Sequence, residues 1–85
     1  MNKSKLLKKV LNNPKNIKFS ELKELVIAFG FYLSRIRGSH HIFTHKKIKE
    51  LVNIQNDNGM AKAYQVMQFL NLVEKNNLKL EDDKK

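Results

Sequence analysis

The hydrophobic period of this chain changes twice, and that change limits the folds open to it. Leu22, Leu25, Val26 and Phe29 recur at i, i+3, i+4 and i+7, the single apolar stripe of an amphipathic helix. Val66, Phe69, Leu70 and Val73 repeat that spacing within residues 64–76. Between the two stripes the helical period is lost. Residues 31–36 and 39–44 are rich in aromatic and β-branched side chains, and Arg37-Gly38 offers a turn between them. Residues 50–55 set Val52 and Ile54 against Asn53 and Gln55, a period of two, with 45–49 as a polar connection. Asn56-Asp57-Asn58-Gly59 then reads as a loop. Ser20 is the expected N-cap of the first stripe and Gly30 its C-terminal stop.

A further helix precedes this unit. Leu6, Leu7, Val10 and Leu11 share one side of residues 3–11, and Asn12-Asn13-Pro14 ends the run. The predicted order is therefore α, α, β, β, β, α. A three-stranded antiparallel sheet would bury one face under the helices at 21–29 and 64–76 and leave the other to water or a ligand. The class is α+β. With 85 residues the chain is expected to be a single domain over 1–85. Within it, a basic N-terminal helix is expected in 1–13, the αβββα core in 19–78 and a frayed tail in 79–85.

Charge narrows the partners. Lys and Arg number 17 against 8 Asp and Glu, a formal net charge of +9. Six lysines and no acid fall in residues 1–18. Such a balance fits a polyanion, either nucleic acid or an anionic membrane surface. The well-patterned remainder argues against a membrane-surface peptide. The chain has no Cys, which excludes a disulfide scaffold and a thiol nucleophile. No apolar run reaches the roughly 20 residues of a membrane span. A cytoplasmic protein is expected.

The unusual chemistry lies in Gly38-Ser39-His40-His41, with His45 close by. On a strand, His40 and His41 point to opposite faces and make poor joint ligands, so no metal site and no cofactor is expected. One histidine can serve as a general acid or base, because imidazole titrates near neutrality.

Phe19-Ser20-Glu21-Leu22, Gly30-Phe31, Arg37-Gly38-Ser39-His40-His41-Ile42-Phe43, Val52-Asn53-Ile54-Gln55 and Gly59-Met60-Ala61-Lys62-Ala63-Tyr64-Gln65-Val66 together resemble the HicA toxin family over about residues 14–78. Met60 and Ala63 stand where that family often has a basic residue and a proline. The resemblance implies a fold like the double-stranded-RNA-binding domain. It implies an mRNA-cleaving toxin, a metal-independent endoribonuclease held in check by a HicB-type antitoxin. The essential histidine of the family maps onto His40. Gly38 and Ser39 are expected beside the RNA, with Arg35, Arg37, Lys46, Lys47 and Lys62 as the nearest basic candidates to contact it. A non-catalytic RNA-binding module of the same fold is the alternative reading of the same residues.

Overall fold

The computed structural model describes residues 2–81. Its elements are α1 (Lys3–Asn12), α2 (Phe19–Ala28), β1 (Tyr32–Arg37), β2 (His40–His45), β3 (Ile48–Gln55) and α3 (Ala63–Lys75). The strands form one antiparallel sheet in the order β1-β2-β3, with β2 at its centre. This is the α+β, double-stranded-RNA-binding-domain-like αβββα arrangement, preceded by one extra helix.

The core follows the two stripes and the inner face of the sheet. Leu22, Leu25, Val26 and Phe29 from α2 and Val66 and Phe69 from α3 are buried against Phe43, Val52 and Ile54. Phe69 meets Phe29 and Phe31 edge-on, each at 5.8 Å between ring centres. The extra helix adds Leu6 and Val10 to this cluster. Lys9 of α1 pairs with Glu21 of α2. That bond, together with the Lys18 N–H that Glu21 also accepts, holds the Glu21 carboxyl below its ordinary value.

Four details differ from the sequence expectation. Ser20 does not cap α2. The helix begins at Phe19, Lys18 occupies the N-cap position, and its N–H donates to Glu21 Oε1 at 3.0 Å. Next, the connection expected over 45–49 shrinks to Lys46-Lys47, because β2 runs to His45 and β3 starts at Ile48. The lysines there disguise a tight hairpin as a polar linker. Third, Ser39 belongs to the β1–β2 turn rather than to a strand. The last concerns the tail. Leu78 and Leu80 pack partly buried against the core and Glu81 N–H donates to Ala28 O at 2.7 Å, so the chain is held through residue 81. Two leucines two residues apart give this segment the apolar content that its charges obscure. Positions 82–85 of the expected tail lie outside the described residues.

Gly30 closes α2 as expected, at φ +96°. Its N–H donates to Ile27 O at 2.9 Å and the Phe31 N–H to Val26 O at 3.4 Å, the paired bonds of a Schellman motif. The motif reverses the chain and delivers Phe31 into the core at the start of β1. A Cβ at Gly30 would also approach His45 Nε2 to 3.1 Å. Gly30→Ala is therefore expected to cost at least the roughly 1–2 kcal/mol of a left-handed L-residue. Urea unfolding of the two proteins measures it as a lower midpoint at unchanged slope.

Candidate functional site

The hairpin β1–β2 turns through two residues, with Arg37 and His40 paired on either side. Gly38 takes the first turn position at φ +59°. A Cβ there would meet nothing within 4 Å, so conformation rather than crowding calls for glycine. This turn is tied down by the loop that follows β3. Asn56 N–H donates to Ser39 O at 2.9 Å, and Gly59 N–H donates to Asn56 Oδ1 at 2.7 Å. The same loop holds the start of α2: Phe19 N–H donates to Gly59 O and Ala61 N–H to Ile17 O, both at 2.9 Å. Gln65, buried at the start of α3, accepts the Gln55 N–H at 2.7 Å and fixes the end of β3. Turn, loop and two helix entries thus form one hydrogen-bonded end of the molecule.

His40 stands at that end. β2 alternates, so Phe43 and His41 face the helices while His40 and Ile42 face the other way. His41 meets the ring of Phe19 edge-on at 4.7 Å, which places it on the inner side. The His40 ring lies on the open face, and its Nδ1 is 3.0 Å from Asn53 Oδ1 of β3. Register explains the contact. His40 is paired with Gln55, so Asn53, two residues away, is its diagonal neighbour on the same face. Arg37 is paired with His40 and Arg35 with Ile42, so both arginines stand on this face as well. Both are exposed, and among the described residues neither forms an ion pair.

The remaining basic candidates divide. Lys62 is the N-cap residue of α3, beside the loop that ties down Ser39, and its Nζ lies 3.5 Å from Asp57 Oδ2. Lys46 and Lys47 sit at the far end of β2. An extended strand puts them roughly 16–20 Å from His40, at about 3.3 Å per residue. Nearness in sequence is not nearness in space here, because the intervening residues form an extended strand.

His45 is not a surface residue. It is 7% exposed, its ring meets Phe31 at 4.9 Å, and its Nδ1 accepts the Lys47 N–H at 3.0 Å. His40, His41 and His45 therefore do not converge. Among the described residues no three His, Cys, Asp or Glu side chains come together as a metal would need. Asn53 is the residue that sequence reading passed over. Its alternation with Val52 and Ile54 marks it as outward-facing, but only the strand register brings it to His40.

A larger groove of about 780 Å³ lies on the helix side, lined by apolar residues of α1 and α3 and by residues 78–80. Glu74 and Lys79 are its only titratable lining groups among the described residues, and no histidine lines it. The open sheet face carries an imidazole with a hydrogen-bond partner and, on the same face, two guanidinium groups that form no ion pair among the described residues. That combination suits a phosphodiester, whose charge the arginines can meet and whose protons the imidazole can move.

A family model described as HicA toxin of bacterial toxin-antitoxin matches residues 19–74, well over half of the chain. No curated protein and no solved structure matches it.

His41 Nδ1 is buried without a hydrogen-bond partner. An unpaired buried nitrogen costs stability that an apolar ring of similar shape would not. His41→Phe is therefore expected to melt at the same temperature as the native protein or higher. A clear drop in Tm would mean that the His41 nitrogens make a contact the fold requires.

Proposed function

The chain belongs to the HicA toxin family and is a toxin of a bacterial toxin–antitoxin system, and on that premise we propose that it is a metal-independent endoribonuclease in which His40 is the catalytic acid or base. The observation that carries this reading is the position of His40. It is the histidine of the Gly38-Ser39-His40 motif, and it is the one of the three that stands on the open face, beside Arg35 and Arg37. The family supports an RNA target and an antitoxin partner.

RNA carries its own nucleophile. Attack of the 2′-hydroxyl oxygen on the adjacent phosphorus forms the O2′–P bond and breaks the P–O5′ bond. One proton leaves the 2′-oxygen and one arrives at the departing 5′-oxygen. The products are a 2′,3′-cyclic phosphate and a 5′-hydroxyl, and the step balances without added water. A positioned histidine contributes roughly 10²–10⁴-fold by moving one of those protons. Arg35 and Arg37 meet the charge that grows on the equatorial phosphate oxygens. Gly38 and Ser39 shape the turn against which the RNA backbone would lie. Lys62 belongs to the same end of the molecule, whereas Lys46 and Lys47 reach only RNA that extends along the sheet.

His40→Ala is expected to remove cleavage while leaving the circular dichroism spectrum and Tm unchanged, since the side chain is outside the core. Native cleavage should persist in EDTA and yield ends that resist ligation until the cyclic phosphate is removed. Cleavage retained by folded His40→Ala would exclude the histidine mechanism. RNA binding with no cleavage by the native chain would leave the plain RNA-binding module.

Inhibition follows from the same geometry. The active face is open, so a protein that covers it or its basic approach excludes RNA without altering the fold. A HicB-type antitoxin with an acidic surface would find it by long-range attraction to a +9 chain. The small protein encoded next to this one is expected to co-purify with it and suppress cleavage, with slower association at high salt. If it does neither, the HicB-type assignment fails.

A further inference from the structure

The hydrogen bond between β2 and β3 decides which nitrogen of His40 can react. We propose that Asn53 is a positioning residue that holds the neutral His40 ring with its proton on Nδ1, making Nε2 the reacting nitrogen and the 2′-hydroxyl its target. This inference rests on the ribonuclease reading of His40 and adds to it the half-reaction and the residue that selects it.

Three observations carry the proposal. First, the contact is Nδ1 to Asn53 Oδ1 at 3.0 Å. With the amide turned so that Oδ1 rather than Nδ2 faces the ring, the carboxamide accepts and Nδ1 is the donor. The lone pair of the neutral ring is then on Nε2. Second, no partner for Nε2 exists among the described residues, and it is not among the buried unpaired atoms. It is open to an incoming hydroxyl. Third, both residues sit on strands whose ends are pinned. Asn56 N–H to Ser39 O and Gln55 N–H to Gln65 Oε1 fix the end of the sheet next to the His40–Asn53 pair, so the two side chains meet without ordering a flexible segment.

The neutrality of Asn53 matters. The charged groups facing His40 on the sheet are Arg37 and Arg35 of β1, while β3 contributes only Asn53 and Gln55. A carboxylate at position 53 would stabilise the imidazolium as well as orient the ring. An amide orients the ring without adding a charge that would favour the imidazolium.

In-line displacement places the 2′-oxygen and the 5′-oxygen on opposite sides of phosphorus. One ring on a flat face therefore serves one of them. With Nε2 bearing the lone pair, that is the 2′-hydroxyl: Nε2 accepts its proton as the O2′–P bond forms. Water in front of the open face supplies the proton to the 5′-oxygen as the P–O5′ bond breaks. The imidazolium then returns its proton to solvent.

The test combines nitrogen spectroscopy with kinetics. Long-range ¹H–¹⁵N correlation spectra of the native protein with its imidazoles neutral should show Nδ1 of His40 protonated and Nε2 bare. In Asn53→Ala the two nitrogens should move toward averaged shifts as the two tautomers mix. RNA cleavage should fall about tenfold or more in kcat with little change in KM, part of the roughly 10²–10⁴-fold that a positioned acid–base group supplies. Asn53→Asp should keep the Nδ1 proton and retain more activity than Asn53→Ala. Asn53 is exposed, so all three proteins should share one Tm. A native spectrum with the proton on Nε2, or one unchanged in Asn53→Ala, overturns the proposal. So does full activity in Asn53→Ala. A tautomer that shifts as expected in a chain that cleaves no RNA would overturn the ribonuclease reading while leaving the His40–Asn53 contact standing, so the two failures are separable.

Discussion

Phe43 is fully buried on the central strand, and the placement of the groups on the opposite face depends on it. Its ring lies in the cluster made by α2, α3 and the inner face of the sheet. A strand has a period of two, so burying Phe43 assigns His41 to the inside and His40 to the outside. A one-residue slip of β2 would exchange them, and it would also turn the large Phe43 ring out of the core. Burying a side chain of that size is worth roughly 1.5–3 kcal/mol, a large share of the stability of a small domain. The hydrophobic core therefore sets the direction of a residue that touches none of it.

Once the face is set, hydrogen bonds set the position. The loop at 56–61 spends its backbone groups on Ser39, Ile17 and Phe19 rather than on solvent. That accounts for the start of α2 two residues earlier than the Ser20 hydroxyl suggests. Gly59 O takes the Phe19 N–H, Glu21 Oε1 takes the Lys18 N–H, and Lys18 O takes the Leu22 N–H that a Ser20 cap would have satisfied. Local sequence preference yields to a tertiary contact at the point where the site is built.

Legibility followed the range of the forces involved. The stripes of α2 and α3, the Gly30 stop and the inner placement of Val52 and Ile54 are periodic or local, and each could be read from neighbours a few residues apart. The turn at Lys46-Lys47 could not, because its residues look like a linker and only the pairing of His45 with Ile48 reveals a hairpin. The same holds for His45 itself, a polar residue whose burial rests on the Phe31 ring and a backbone N–H two residues ahead. Asn53 is the most informative case. Its face could be read from alternation, but its partner depends on the offset between β2 and β3, which no spacing within either strand encodes.

The charge of the chain is distributed in a way that separates attraction from chemistry. Six of the lysines precede residue 19, and most belong to a helix that packs on α2, behind the layer that covers the sheet. The molecule spans 34 by 27 by 21 Å. At physiological salt a charge is screened over about 8 Å, so lysines on the helix side scarcely act on a phosphate held at the sheet. They raise the capture of a polyanion or an acidic protein from a distance. On the His40 face the nearest basic residues by strand pairing are Arg37 and Arg35, and the ring's hydrogen-bond partner is a neutral amide. An open face on so small a domain cannot exclude water from a reaction. In the proposed ribonuclease, rate enhancement therefore comes from orientation, which a packed strand and a fixed register supply.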